Sequence, residues 1–355
     1  MKKVKLSLAG TKVVEKWKIW ISIPIAVIVL ALIAFGVFAG INKDAGKGIN
    51  LGIDFTGGNI VTIQFKDNLT DKTYKENLKI ATDVLKDNGA ELNYAQQGGD
   101  KDLIVRFGLL SKDNAENEKL NNDIVADMEK AFEGKLALGE NSVRLEYNGP
   151  SARNDLILTA LLSVLVSTIL ILIYVIIRFR NVFTGLSAVI ALIHDVLIVF
   201  ALTIIFHIQI NSSFVAAIIT ILAYSINNTI VLFDRVRLNY KNTPAGAEFS
   251  KNYHNSIVNK SIAQTLSRSI LTTVTTMAAI VVLAIIGVPS IREFALPVIF
   301  GLIAGAFSSI FLAPSLYCLM KNASGDKDGY KKKKEKAPKR KRERKANEPI
   351  ADANV

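Results

Sequence analysis

The chain has 355 residues, half of them hydrophobic, with a mean hydropathy of +0.32 and a formal net charge of +12 at pH 7. A single cysteine, Cys318, excludes an internal disulfide and a thiolate metal cluster, and the three histidines, His194, His207 and His254, show no ligand spacing. No nucleophile–base pair or metal-ligand set is visible either, which argues against an enzyme and calls for no cofactor.

In chain order, residues 1–18 carry six lysines and one glutamate and precede an apolar run, Ile19 to Gly40. That run is longer than the apolar region of a cleaved signal peptide, so it is expected to remain as a first membrane span, 19–40. Residues 41–154 then hold 15 Lys and Arg against 19 Asp and Glu, the signature of a water-exposed domain. Ile60 to Phe65 alternates as a strand. Thr70 to Asn88 repeats Tyr74, Leu78, Ala81 and Leu85 at helical spacing, and Gly89 stops it. Glu91 to Gln97 and Asp102 to Phe107 flank Gly98-Gly99 as a hairpin. Asn114 to Leu136 places Leu120, Ile124, Met128 and Phe132 on one helix face, and Ser142 to Tyr147 is a last strand. The order β-α-β-β-α-β predicts a ferredoxin-like α+β domain, a fold that does not by itself settle function.

Five further apolar runs follow near Leu156–Ile177, Val182–Phe206, Phe214–Phe233, Ile270–Val288 and Phe294–Met320. The last exceeds what a bilayer of about 30 Å requires, so a tilt or bend near Pro297 or Pro314 is expected. The fold class is therefore a multi-pass α-helical membrane protein of six spans, with one extracytoplasmic α+β domain between the first two. The bundle occupies 155–320, with a loop at 234–268, and a basic tail occupies 321–355. Arg178 and Arg180, then Arg235, Arg237, Lys241, Lys251, Lys260 and Arg268, then thirteen basic against six acidic residues from Lys321 onward, all fall on one side. The positive-inside rule makes that side, with both termini, the cytoplasm. Lys331 to Lys345 reads as a disordered stretch suited to anionic lipid headgroups; attraction to RNA phosphate and a plain solvated tail are the other readings.

Several polar groups lie where lipid cannot solvate them. Tyr224, Ser225, Asn227, Asn228 and Thr229 interrupt the fourth span, which ends on Asp234-Arg235-Val236-Arg237. They belong either to an ion path or to interhelical hydrogen bonding. His194-Asp195 sits near the middle of the third span, where burial penalises a charged carboxylate and suits it to carry a proton; a structural hydrogen bond is the alternative. Ser261, Thr265, Arg268, Thr272 and Thr275 follow spacings of 4, 3, 4 and 3 and are expected on one helix face, although Arg268 could simply snorkel to headgroups. Gly301, Gly305 and Ser309 form a small-residue row for close helix packing.

Three motifs carry a resemblance. Gly52-Ile53-Asp54-Phe55-Thr56-Gly57-Gly58 opens the outer domain, Asn148-Gly149-Pro150 leads into the second span, and Tyr224-Ser225-Ile226-Asn227 through Asp234-Arg235 closes the fourth. The glycine-rich motif lacks the ending of a nucleotide loop and reads locally as a glycine-bulged strand, with a hinge as its functional alternative. With six spans and one outer domain, the chain from about residue 15 to 320 resembles the SecF branch of the bacterial SecD/SecF family, in the RND superfamily. The resemblance implies a bacterial inner-membrane subunit of protein export, with SecD as partner, near the SecYEG translocon and a YidC-type insertase, acting on unfolded preprotein with proton-gradient coupling. No specific nucleic acid partner is implied. It also implies coupling roles for His194, Asp195 and Arg268, to which the polar helix faces add Ser225 and Thr272 as candidates, and it marks Gly52, Asp54, Gly57, Gly58, Asn227, Asp234 and Arg235 as motif residues. At Asn228 the chain departs from the family, where a carboxylate implicated in proton transport is usual; an amide takes up no proton at ordinary pH. A passive scaffold of the translocon and half of an RND-like lipid or small-molecule exporter remain the rival readings.

Overall fold

The computed structural model describes residues 12–42, 48–108, 111, 114–137, 142–148, 150–179, 181–243, 250–287 and 289–324. The expected lipid-binding stretch Lys331 to Lys345 lies outside the described residues.

Helix α1 (Trp17–Asn42) follows a 3-10 turn, Val14–Lys16. Val13 and Val14 are buried, and both their amides donate to Asn259 Oδ1, at 3.1 and 3.2 Å. Trp20 Nε1 closes the turn by donating to the Val13 carbonyl at 2.8 Å. The end of the segment read only as a basic flank is thus a docked element.

The α+β domain contains α2 (Ile53–Thr56), β1 (Gly58–Gln64), α3 (Asp71–Asp87), β2 (Leu92–Gly98), β3 (Asp102–Phe107), α4 (Asn114–Ala131) and β4 (Val143–Asn148). The strands pair antiparallel in the order β2-β3-β1-β4, the sheet of the split β-α-β-β-α-β arrangement. Alternation along β1 and β3 puts Val61, Ile63, Leu103, Val105 and Phe107 on one face, against Ala81 and Leu85 of α3 and Ile124 and Met128 of α4. Thr70 and Thr73 cap α3 reciprocally, and Gly89 (φ 73°) ends it as expected. Helix α4 stops at Ala131 instead of running to Leu136. Gly134 adopts φ 78°, and Leu136 leaves the helix to bridge Phe65 at the edge of the sheet.

The motif at 52–58 also differs from the expected bulged strand. Its central residues form the single turn α2, and two glycines then turn the chain into β1. Gly57 has φ 74° and Gly58 φ 145°. A Cβ on Gly58 would lie 2.6 Å from the Phe107 carbonyl oxygen, so both backbone conformation and space demand glycine there.

The bundle comprises α1, α5 (Pro150–Phe179), α6 (Val182–Ile205), α7 (Ser212–Lys241), α8 (Lys251–Ile286) and a last span made of α9 (Pro289–Phe307), a π-helical turn (Ser308–Leu312) and α10 (Ala313–Ala323). These six are each long and apolar enough to cross a membrane. The irregularity expected in the last span falls at the π turn beside Pro314, whereas α9 runs through Pro297. The segment 234–268 is mostly helical, because α7 continues to Lys241 and α8 starts at Lys251. Asn181, Asn211 and Ser250 cap α6, α7 and α8 with side-chain oxygens.

Helices α6 and α7 and the last span form the packed centre, while α1, α5 and α8 present large apolar surfaces such as Leu32, Leu161 and Ile285 outward, as lipid requires. The glycine row of the last span sets the closest approach. A Cβ on Gly301 would lie 2.2 Å from Ile221 of α7, and one on Gly305 would lie 3.1 Å from Ser225 Cβ. We expect Gly301→Ala to force α7 and α9 apart and destabilise the bundle by about 1–3 kcal/mol, the usual range for overpacking. Thermal aggregation of the purified protein checks this, and Ile221→Ala in the same chain should restore the parental midpoint.

Candidate functional site

A membrane interior offers a polar side chain no water, so each must find a partner in the protein or line a wet path. Asp195, in the middle of α6, is fully buried. Its Oδ1 lies 2.8 Å from His194 Nδ1. Its Oδ2 accepts from two hydroxyls, Ser225 of α7 and Ser308 of the π turn, the latter at 2.9 Å. Three separate elements therefore converge on one carboxylate.

Each element reaches it for a local reason. Gly305 permits α9 to lie against Ser225, and Ser308 stands within the π turn, whose extra residue shifts the register of the side chains that follow. The His194 ring packs on Phe307 at 5.9 Å between centroids, and its Nε2 is buried without a partner among the described residues. Arranged this way, the oxygens of one carboxylate join α6, α7 and the last span.

Of the sequence-predicted residues, the structure brings His194, Asp195 and Ser225 together. Asn228 and Thr229, one turn from Ser225, are also buried, but Asn228 Nδ2 and Thr229 Oγ1 have no hydrogen-bond partner among the described residues. Asn227 is exposed on the other side of α7. Asp234 pairs with Arg178, tying α7 to the end of α5, and Arg235 is half-buried.

The stripe on α8 separates into two. Ser261 and Thr265 are buried, but Arg268, Thr272 and Thr275 are exposed. The inward row is instead Ser261, Thr265, Ser269 and Thr273, at spacings of four throughout. An i+4 row follows the packing ridge of a helix crossing its neighbours at an angle, whereas the 4-3-4-3 row drifts off that contact. Thr273 accepts from the Tyr224 hydroxyl at 3.2 Å. Arg268 and Thr272 thus belong to the outer face of α8 and not to the Asp195 cluster.

Sequence reading also missed a polar group at the end of the bundle that meets the α+β domain. Arg106 of β3 lies 3.3 Å from Glu293 of α9 and donates to Gln209; Asn211 donates to the second oxygen of Glu293. All four are buried. The adjoining 52–58 motif is stitched to the same loop. Gly52 N donates to the Ile210 carbonyl at 2.7 Å, Ile210 N to the Asn50 carbonyl at 2.8 Å, and Ser212 N to Asp54 Oδ2 at 2.9 Å. Among the described residues, no three His, Cys, Asp or Glu side chains converge as metal ligands would.

The chain is similar to known proteins over most of its length. Residues 129–323 match the family model for the protein export membrane protein SecD/SecF, C-terminal, and residues 45–68 match that for the SecD/SecF GG motif. The chain is 34% identical over 297 residues to the protein translocase subunit SecF of Rickettsia akari, covering 83% of this chain and 88% of that one. It is 35% identical over 307 residues to the SecF subunit of Gemmatimonas aurantiaca, covering 85% of each. Among solved structures it is similar to SecDF of Thermus thermophilus, a translocon-associated membrane protein, with a TM-score of 0.62 and 30% identity. That match takes in 85% of this chain but 38% of the SecDF chain. SecDF in a super-membrane-facing form gives a TM-score of 0.54 at 27% identity, over 87% of this chain and 39% of the other.

Proposed function

Since the chain belongs to the SecD/SecF family of protein-export membrane proteins, we propose that it serves as an auxiliary SecF-type subunit of Sec protein export and couples late translocation of preproteins to the proton gradient. The observation that carries the coupling is the buried Asp195, held at once by His194, Ser225 and Ser308. Protonation there weakens the bonds joining α6, α7 and the last span. Deprotonation restores them, and the bundle alternates between two packings.

SecD is the proposed partner, consistent with a chain that spans well under half of the SecDF structure. The outer face of α8 suits that contact. Arg268, Thr272 and Thr275 are exposed there amid Leu271 and Val274, and a charged group on a lipid-facing surface is costly. The threonine hydroxyls bond to their own helix carbonyls, Thr272 to Arg268 at 2.9 Å and Thr275 to Leu271 at 3.0 Å, which leaves Arg268 to meet the partner. SecYEG, a YidC-type insertase and the emerging preprotein complete the proposed assembly, in the bacterial inner membrane with both termini cytoplasmic.

One observation favours a second reading, a scaffold without ion coupling: the amide of Asn228, buried where a titrating group would serve. Preprotein export into inverted vesicles separates the two, with ATP held constant and an uncoupler added or omitted. Vesicles containing this chain should lose export stimulation on uncoupling, down to the level of vesicles lacking it. Stimulation that survives the uncoupler would leave only the scaffold.

A further inference from the structure

The Arg106 cluster raises a physical question of its own. A guanidinium and a carboxylate have both been taken out of water where the α+β domain meets the bundle. Such a pair adds little net stability over an apolar contact of the same volume, yet removing one partner strands the other charge. Its usefulness lies in being directional and reversible.

The connections of the pair are specific. Glu293 stands near the start of α9, roughly four turns ahead of Ser308. Asn211, which donates to Glu293, also caps α7 by accepting from Phe214 N at 3.1 Å, and Ser225 lies roughly four turns along that helix. Gln209, the other partner of Arg106, precedes the same cap. The two elements whose hydroxyls hold Asp195 therefore both begin at this joint. The joint's other side is the sheet itself: Arg106 is paired in register with Ile60 of β1 and Tyr94 of β2, and its guanidinium lies 5.7 Å from the Tyr94 ring centroid. The chain enters the joint through His207, a non-glycine residue at φ 50°, whose carbonyl accepts from Asn50 Nδ2 at 3.0 Å. A strained backbone held by surrounding bonds is typical of an element that switches.

We propose that Arg106 and Glu293 are positioning residues that transmit the orientation of the α+β domain to the Asp195 site, opening and closing as the two parts move. The inference rests on the coupling reading above and extends it by naming the linkage. Closed, the pair fixes α7 and α9 against the sheet and keeps Ser225 and Ser308 on Asp195. Open, each charge returns to water, and both helices are free to shift along their length.

Three variants test this in the full chain, assembled with its partner subunit in vesicles. Spin labels at Asp83→Cys on α3 and Ile286→Cys at the domain end of α8 report the domain-to-bundle distance; both sites are exposed, and Cys318 is buried from the label. Glu293→Gln sets an amide donor against either Arg106 or Asn211, whichever way it turns. It should broaden the distance distribution and bring export down to the level of vesicles lacking this chain. The double variant Arg106→Met/Glu293→Met replaces the pair with an apolar contact that does not open into water. It should keep the narrow parental distribution and still lose export. An unchanged distribution in Glu293→Gln, or parental export by the double variant, overturns the proposal. Asp195→Asn in parallel separates the two ideas. If it abolishes the gradient response while the Met pair exports normally, only the joint fails. If it leaves the response intact, the coupling reading fails, and the linkage to Asp195 fails with it even where the joint variants lose export.

Discussion

Asp195→Asn should yield a folded protein whose export support no longer responds to the proton gradient. The amide has the volume of the carboxylate and can satisfy the same neighbours. Its oxygen accepts from Ser225 and Ser308, and its nitrogen donates to His194 Nδ1 in the tautomer protonated at Nε2. What it lacks is a proton that comes and goes. Asp195→Ala is the necessary contrast, because it leaves the Ser225 hydroxyl and a histidine nitrogen without the carboxylate in a dry site, while Ser308 keeps only the Gly305 carbonyl at 3.3 Å. About 1–3 kcal/mol is lost for each buried group left unsatisfied, so the alanine variant should be plainly less heat-stable. Export with and without uncoupler reads the first effect, and thermal aggregation reads the second. If Asp195→Asn retains the full gradient response, the buried carboxylate is structural and coupling runs elsewhere.

Local patterns made much of the fold legible. The β-α-β-β-α-β order, the capped helix ending at Gly89 and the turn that Gly99 opens at φ 68° follow from period, caps and glycine chemistry acting over a few residues. His194, Asp195 and Ser225 were also visible, because an ionisable or polar group within an apolar span has no other explanation than a partner or a path. Ser308 was not. A serine in a span is common, and only the π turn and the close approach at Gly305 carry its hydroxyl to Asp195. The inward row on α8 was missed for a related reason: which row of a helix packs depends on the crossing angle of its neighbours, which the sequence of that helix does not contain. Arg106 and Glu293 are nearly two hundred residues apart and sit in unremarkable surroundings, one in a strand and one beside a proline-flanked helix start. Nothing local distinguishes a surface arginine from one half of a buried pair; the signal lies in the tertiary contact alone.

Asn228→Asp should increase the dependence of export on the gradient, and it should do so without the loss of a native hydrogen bond through Nδ2. That nitrogen is buried and has no hydrogen-bond partner among the described residues, so the substitution removes an unmatched donor. The cost arises only on ionisation, where a carboxylate at the centre of a span is unfavourable by about 2.5–3.5 kcal/mol on insertion scales. The new group lies on the buried face of α7 that carries Ser225, one turn from the hydroxyl that donates to Asp195. The decisive form is the double variant Asp195→Asn/Asn228→Asp. Here the titrating carboxylate moves from α6 to α7 while the count of carboxylates stays the same. Recovery of a gradient response would mean that the bundle requires one protonatable group at the junction of α6, α7 and the last span, and that this chain has placed it on α6. A double variant as unresponsive as Asp195→Asn alone would mean that the hydroxyls of Ser225 and Ser308 act only on a carboxylate held beside His194, so that the geometry around Asp195, and not the mere presence of an acid, does the coupling.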